Sequence, residues 1–179
     1  MSCLINKGRL EPCKDSVGGL TAVYFIDYGT LGAVTYASAT SSEITGFGGT
    51  PEAFKYVLKG NSSLEQTVTS SRENGTTFYD QIVNLTLKKL SVQSNDELAL
   101  IAVARPHVVV EDNNGNAMLV GLEWGADVNG GTVVTGAAMG DLSGYTLTLQ
   151  GMEKKPANFL SGGIAGVGIT ISASNIDDI

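Results

Sequence analysis

Thr76 to Leu90 runs fifteen residues without glycine or proline, and no other stretch constrains the fold as strongly. Tyr79, Gln81, Val83, Leu85 and Leu87 repeat with period two, the spacing of one face of a β-strand. Strands commonly run about 5–6 residues. One more than twice as long either bends to serve two sheets or projects beyond its own domain to meet a neighbour. Upstream, Leu64, Gln66 and Val68 alternate with Glu65, Thr67 and Thr69. Between the two runs lies Ser70-Ser71-Arg72-Glu73-Asn74-Gly75, whose Asn-Gly pair is a strong turn signal. The segment reads as a long β-hairpin with an extended tip.

Similar patterns place the other elements. Thr21 to Tyr28 and Ala33 to Tyr36 are β-branched and aromatic runs separated by Gly29 and Gly32. Ala53 to Lys59 alternates Phe54, Tyr56 and Leu58 with Lys55, Val57 and Lys59, as a half-buried strand does. Ser94-Asn95-Asp96-Glu97 has the form of a capping box, with Ser94 as cap and Glu97 as its reciprocal partner. A helix should follow, with Leu98, Ile101, Ala102 and Arg105 on one stripe, ending before Pro106. His107 to Glu111 and Ala117 to Leu122 flank Asp112 to Asn116, where Asn114-Gly115 predicts a hairpin turn. Thr132 to Thr135 and Tyr145 to Gln150 read as strands around a glycine-rich loop, Gly136 to Gly144. The 23 glycines among β-branched runs favour a strand-and-turn architecture over a helical bundle.

The chain therefore reads as mainly β with one helix: an antiparallel sandwich or partly closed barrel flanked by that helix. A single domain spans residues 1–160, of which residues 1–20 are an N-terminal segment that the sequence assigns no role. Residues 161–179, small and rich in glycine and serine up to Ser174, form an extended C-terminal arm or a last strand. The composition, 42% hydrophobic and 16% charged, is that of a folded chain and not a disordered one.

A formal net charge of −7 argues against sequence-specific DNA binding, which draws on Lys and Arg to neutralise phosphates. Cys3 and Cys13 have no histidine near them and no second pair to complete a zinc site. The amino-terminal residues lack the apolar core of a signal peptide, and no run reaches the roughly 18 apolar residues of a membrane helix. Cytoplasmic synthesis, with both cysteines reduced, is the expectation. The glycosylation-like triplets at Asn61, Asn74 and Asn84 are then chance matches.

Chemistry-bearing motifs are weak. His107 is the only histidine and reads as a boundary residue with a satisfied hydrogen bond, since a catalytic histidine needs an oriented partner. The Gly136 to Gly144 loop lacks the Gly-Lys-Ser/Thr ending of a phosphate loop. Asp112 to Asn116 lacks the terminal glutamate of a calcium loop, and no Gly-x-Ser-x-Gly elbow is present. No catalytic residue, cofactor or metal is expected, and the protein reads as a non-enzyme. Trp124 and Tyr145 are the aromatic candidates for a recognition surface, but Trp124 follows an apolar strand and is expected to pack at its end.

The order of long hairpin, capped helix, strand, hairpin, glycine-rich loop and strand across Ala53 to Leu160 resembles the tail tube proteins of long-tailed bacteriophages, a fold shared with contractile injection tubes. The phrases that carry the resemblance are Ser71 to Gln81 (Ser-Arg-Glu-Asn-Gly-Thr-Thr-Phe-Tyr-Asp-Gln) and Gly130 to Glu153, which includes Gly-Ala-Ala-Met-Gly-Asp-Leu-Ser-Gly. It implies a virion structural protein, made in the host bacterial cytoplasm and placed in the tail. Its partners would be copies of itself in a ring, usually of six, stacked into a tube, together with neighbouring tail or connector proteins. DNA would pass through the lumen without specific binding, and no membrane is involved. The residues expected at subunit interfaces are Ser70, Ser71, Arg72, Glu73, Asn74, Gly75, Thr76, Phe78 and Tyr79 of the hairpin, and Gly162, Gly163 and Ile164 of the arm. The alternatives are a head-to-tail connector or tail-terminator ring, and a β-sandwich module that binds carbohydrate or protein.

Overall fold

A computed structural model describes residues 7–176, and in it twelve strands form two sheets. The first strands are β1 (Leu20–Ile26), β2 (Val34–Tyr36), β3 (Glu43–Phe47) and β4 (Glu52–Val57). The hairpin is β5 (Ser63–Ser71) and β6 (Thr76–Lys88), followed by helix α1 (Val92–Val103). Then come β7 (His107–Asp112), β8 (Ala117–Val120), β9 (Asp127–Val134), β10 (Gly144–Glu153) and β11 (Asn158–Leu160). The four-residue helical turn α2 (Gly163–Gly166) and β12 (Thr170–Ile171) complete the chain.

A curled eight-stranded sheet has the order β12-β4-β1-β7-β8-β11-β3-β2, and a four-stranded antiparallel sheet has the order β5-β6-β10-β9. The larger sheet is mixed, because β11 runs parallel to β3 and β12 parallel to β4. Val23 and Phe25 of β1, with Val108 and Val110 of β7, face Val83 and Leu85 of β6 and Leu147 and Leu149 of β10 across the main core. Leu98 and Ile101 of α1 close one side of it. The alternate residues Ala22, Tyr24 and Ile26 lie in a second core on the far face, with Ile44, Leu119, Leu160 and Ile164. A strand buried on both faces needs a continuous apolar run, which explains Ala-Val-Tyr-Phe-Ile in β1 and Val-Val-Val in β7.

Two local expectations are corrected. Helix α1 is capped by Ser91, whose side chain accepts from the Ser94 N–H at 3.0 Å. Ser94 is a buried residue of the first turn, and the N–H that a capping box would direct to Glu97 goes to the Ser91 side chain. The chain reverses at Lys89, which has φ 68, and this turn delivers Ser91 to the helix start before Ser94 is reached. Within the predicted stripe Leu98 and Ile101 are buried, but Ala102 and Arg105 lie outside that face. The C-terminal region does not extend as an arm through its first half. Gly162 and Gly163 adopt φ 68 and 72, a left-handed bend that turns Ile164 into the second core.

Candidate functional site

The four-stranded sheet carries the features that bear on function. β6 and β10 are paired along ten residues of register, from Lys88↔Gly144 to Tyr79↔Glu153. The β5–β6 hairpin continues past that limit, with Thr69↔Phe78, Ser70↔Thr77 and Ser71↔Thr76 still paired. Its tip therefore projects beyond the sheet, as expected. Ser70 and Thr77 hydroxyls meet at 2.9 Å, and Ser71 Oγ accepts from the Asn74 N–H at 3.3 Å. Gly75, at φ 63, supplies the left-handed residue that closes the four-residue turn Arg72 to Gly75. Arg72, Glu73, Asn74, Gly75 and Thr76 are all exposed, while Phe78 and Tyr79 are half-buried and point to opposite faces of the sheet.

Gly162, Gly163 and Ile164 do not join this surface. Ile164 is buried with Tyr24 and Ile44 on the far face of the larger sheet, so it is a core residue and leaves the set of interface candidates. Gly162 and Gly163 shape the bend that puts it there.

Facing away from the core, the four-stranded sheet presents a polar ladder. Gln150 Nε2 donates to both oxygens of Asp80, at 2.8 and 2.9 Å, and its Oε1 accepts from Asn129 Nδ2 at 2.8 Å. Thr148 Oγ1 donates to Asn84 Oδ1 at 2.9 Å, and the Thr132 and Thr146 hydroxyls meet at 2.6 Å. These contacts cross three strands and hold a level, hydroxyl- and amide-rich surface. The ionisable residues of its four strands on this side are Glu65, Asp80, Lys88 and Asp127. Asp127 is neutralised by Arg105, whose Nε and Nη2 each reach a carboxylate oxygen at 3.1 Å.

Both edges of this sheet, the outer sides of β5 and β9, lack a strand partner among the described residues, although helix α1 lies beside β9. Sequence reasoning placed only Thr132 to Thr135 of β9, because Asn129-Gly130-Gly131 interrupts any alternation there. The extra residue Asn129 forms a bulge opposite Thr148/Leu149.

Between the two sheets runs a buried polar seam. Gln81 donates to the Lys155 carbonyl and accepts from the Gly121 N–H, each at 3.1 Å. His107 Nδ1 donates to the Gly121 carbonyl at 2.7 Å, and its Nε2 accepts from the Gly29 N–H at 3.2 Å. Tyr28 stacks on the imidazole with centroids 5.0 Å apart. His107 is thus the satisfied boundary residue that the sequence suggested. Burial lowers its pKa, opposed in part by the Gly121 bond. Glu153 accepts from the Glu123 and Trp124 N–H groups at 2.9 and 3.0 Å, yet burial outweighs those bonds and raises its pKa.

Both loops suspected of ion binding are filled by their own carboxylates. Asp141 Oδ2 accepts from the Ala137 and Ala138 N–H groups at 2.9 and 2.7 Å, occupying the amides that a phosphate would need. Asp112 accepts from the Asn114 and Asn116 N–H groups at 2.9 and 2.8 Å, which closes the β7–β8 hairpin. Asn114 in turn holds Val17, accepting from its N–H at 2.9 Å and donating to its carbonyl at 2.8 Å. Cys13 is an exposed free thiol; Cys3 lies outside the described residues. Trp124 is corrected: it is 47% exposed, with the Lys154 ammonium 5.1 Å from its ring centroid. Tyr145 is buried, its hydroxyl donating to the Ser91 carbonyl at 3.1 Å, and offers no recognition surface.

No helix among the described residues is long and apolar enough to cross a membrane. No protein-family model, curated protein or solved structure matches the chain.

Proposed function

We propose that the chain is a structural subunit of a bacteriophage tail tube, joining head-to-tail with copies of itself into rings that stack around a channel for DNA. The observation that carries this reading is the pair of edges on the four-stranded sheet that have no strand partner among the described residues. Three antiparallel pairings separate β5 from β9, so the two edges run in opposite directions. Set against β5 of the next copy, β9 continues the antiparallel alternation without a break. The edges also match in length, nine residues against eight. Neither contains lysine, arginine or proline, the residues that commonly keep sheet edges from pairing. A heterologous contact of this kind makes a ring when its rotation closes.

In such a ring the polar ladder lines the channel and the hairpin tips reach neighbouring subunits. Glu65 and Asp80 then supply negative charge toward the lumen that repels phosphates, the hydroxyls add no charge, and Lys88 at the end of β6 is the one cation that its four strands put on this side. The role is geometric and electrostatic and calls on no catalytic group. A connector or terminator ring would use the same edges and differ in not stacking. The half-exposed Trp124 supports a second reading, a glycan- or protein-binding module, since an accessible indole is a common anchor for ligands.

Electron microscopy and sedimentation velocity of the purified protein over a wide concentration range test the proposal. Rings or stacked tubes are the expected outcome. A monomer at every concentration that binds glycans, and loses that binding with Trp124→Ala, would replace it with the module.

A further inference from the structure

Asparagine followed by glycine occurs three times, at Asn74-Gly75, Asn114-Gly115 and Asn129-Gly130. The pair is reactive as well as turn-forming. A glycine has no Cβ to shield its amide nitrogen, so that nitrogen can approach the side-chain carbonyl carbon of the asparagine before it. A Cβ built on any of the three glycines would meet nothing within 4 Å, so crowding does not distinguish the sites. Their hydrogen bonds do.

Asn114 is tied at both side-chain atoms. Its Nδ2 donates to the Val17 carbonyl and to Asp112 Oδ2, at 2.8 and 3.2 Å, and its Oδ1 accepts from the Val17 N–H at 2.9 Å. The Gly115 N–H donates to the Asp112 carbonyl at 3.2 Å, so the nitrogen that would have to attack is engaged as well. Asn129 lies within β9, with Nδ2 donating to Gln150 Oε1 at 2.8 Å and Gly130 in register with Thr148. Asn74 differs at each point. It is exposed in the turn that joins β5 to β6, and its backbone N–H is held by Ser71 Oγ. Neither its side-chain amide nor the Gly75 N–H has a partner among the described residues.

We propose that Asn74 is a site of spontaneous deamidation, which converts the hairpin tip from neutral to anionic. The Gly75 nitrogen attacks Asn74 Cγ. The new N–Cγ bond replaces the Cγ–Nδ2 bond, and Nδ2 leaves as ammonia with the proton that Gly75 gives up. Water then adds to either carbonyl of the cyclic imide and breaks that carbonyl's bond to nitrogen, which regains a proton. The product is aspartate, or isoaspartate where the main chain now runs through Cγ. Water is the co-reactant, and nothing is oxidised or reduced. Arg72 and Glu73 cancel each other at the tip as synthesised, so the new carboxylate leaves it with a net negative charge. Isoaspartate also lengthens the main chain by a methylene and undoes the turn that Gly75 closes. The reaction takes place within one subunit and does not depend on ring formation.

Peptide mapping of the full chain after timed incubation at mildly alkaline pH tests the assignment, with pepsin digestion in acid to slow the reaction and fragmentation to place each amide-to-acid mass change. In the native chain Asn74 is expected to convert at least about tenfold faster than Asn114 or Asn129, whose bonds must break first, with isoaspartate among its products. In denaturing urea the rates at the three sites are expected to converge to within about threefold, because unfolding removes those bonds. Asn74→Gln should abolish the first acidic species resolved by ion exchange, since the longer side chain would have to close a larger ring. Equal native rates, or faster conversion at Asn114 or Asn129, would overturn the assignment. So would an order of rates that urea leaves intact, which would place its cause in the neighbouring sequence and not in the fold, or an early acidic species that survives Asn74→Gln.

Discussion

Gly121 concentrates several demands on one residue. Its φ is 69, its N–H and carbonyl serve Gln81 and His107, and a Cβ there would lie 2.4 Å from the Gly125 carbonyl carbon. Gly121→Ala should cost about 2–4 kcal/mol in urea denaturation, from left-handed strain together with forced separation of the two turns. Gln81→Leu should cost about 1–3 kcal/mol, because it leaves the buried Gly121 N–H without a partner and removes the bond to the Lys155 carbonyl. The seam also makes stability depend on pH in two opposed ways. His107 has a pKa below the ordinary 6.5, so the unfolded chain takes up its proton first. Its contribution is intact above pH 6.5 and is lost as pH falls through the depressed native value. Glu153 has a pKa above the ordinary 4.5, so the native state holds its proton longer, and stability falls as pH rises through the window between the two values. Denaturation curves collected from pH 4 to 8 (a span of about four units set by these groups) should show the Glu153 limb flattened in Glu153→Gln and the His107 limb flattened in His107→Asn.

Among the elements, the edges invite a direct test. Thr67→Lys places a charge on β5 and Val133→Lys one on β9, and both positions are exposed, so each subunit should fold with circular dichroism unchanged. If β5 joins β9, neither variant assembles alone, yet mixing them should give a discrete one-to-one dimer by sedimentation, each contributing its intact edge. How readily each element could be read from the chain tracks how different its two surroundings are. β6 was plain because Gln81, Val83 and Leu85 face a core while Asp80, Asn84 and Thr86 face a polar surface. β9 was half hidden, since it is exposed along most of its length and contains Gly130-Gly131, leaving little pattern to read. The helix start was placed three residues late because Ser94-Asn-Asp-Glu97 has the form of a capping box, whereas the turn at Lys89, a non-glycine residue in a left-handed conformation, makes Ser91 the cap. Trp124 misled because it follows a buried strand, but Gly121 and Gly125, both at positive φ, swing the intervening residues outward.

For the molecule as a whole, the fold class was legible from alternation and turn signals, while the candidate assembly surface was legible only at the hairpin. The other edge and the polar ladder depend on pairings between residues far apart in the chain, such as Asp80 with Gln150, which no local pattern announces. Shortening the tip, by replacing Ser70 to Thr77 with a two-residue turn, should leave the melting temperature within a few degrees and reduce ring yield severely, since these residues bury little in their own subunit. The eight-stranded sheet has a different consequence. Because β1 and β7 have side chains in both cores, they form a partition between two interiors whose side chains do not mix. A methyl lost from Val23 loosens one compartment and a methyl lost from Ile44 the other. The two deficits should sum independently in a double variant, so the molecule can accumulate damage in one chamber while the wall and the chamber behind it stay sound.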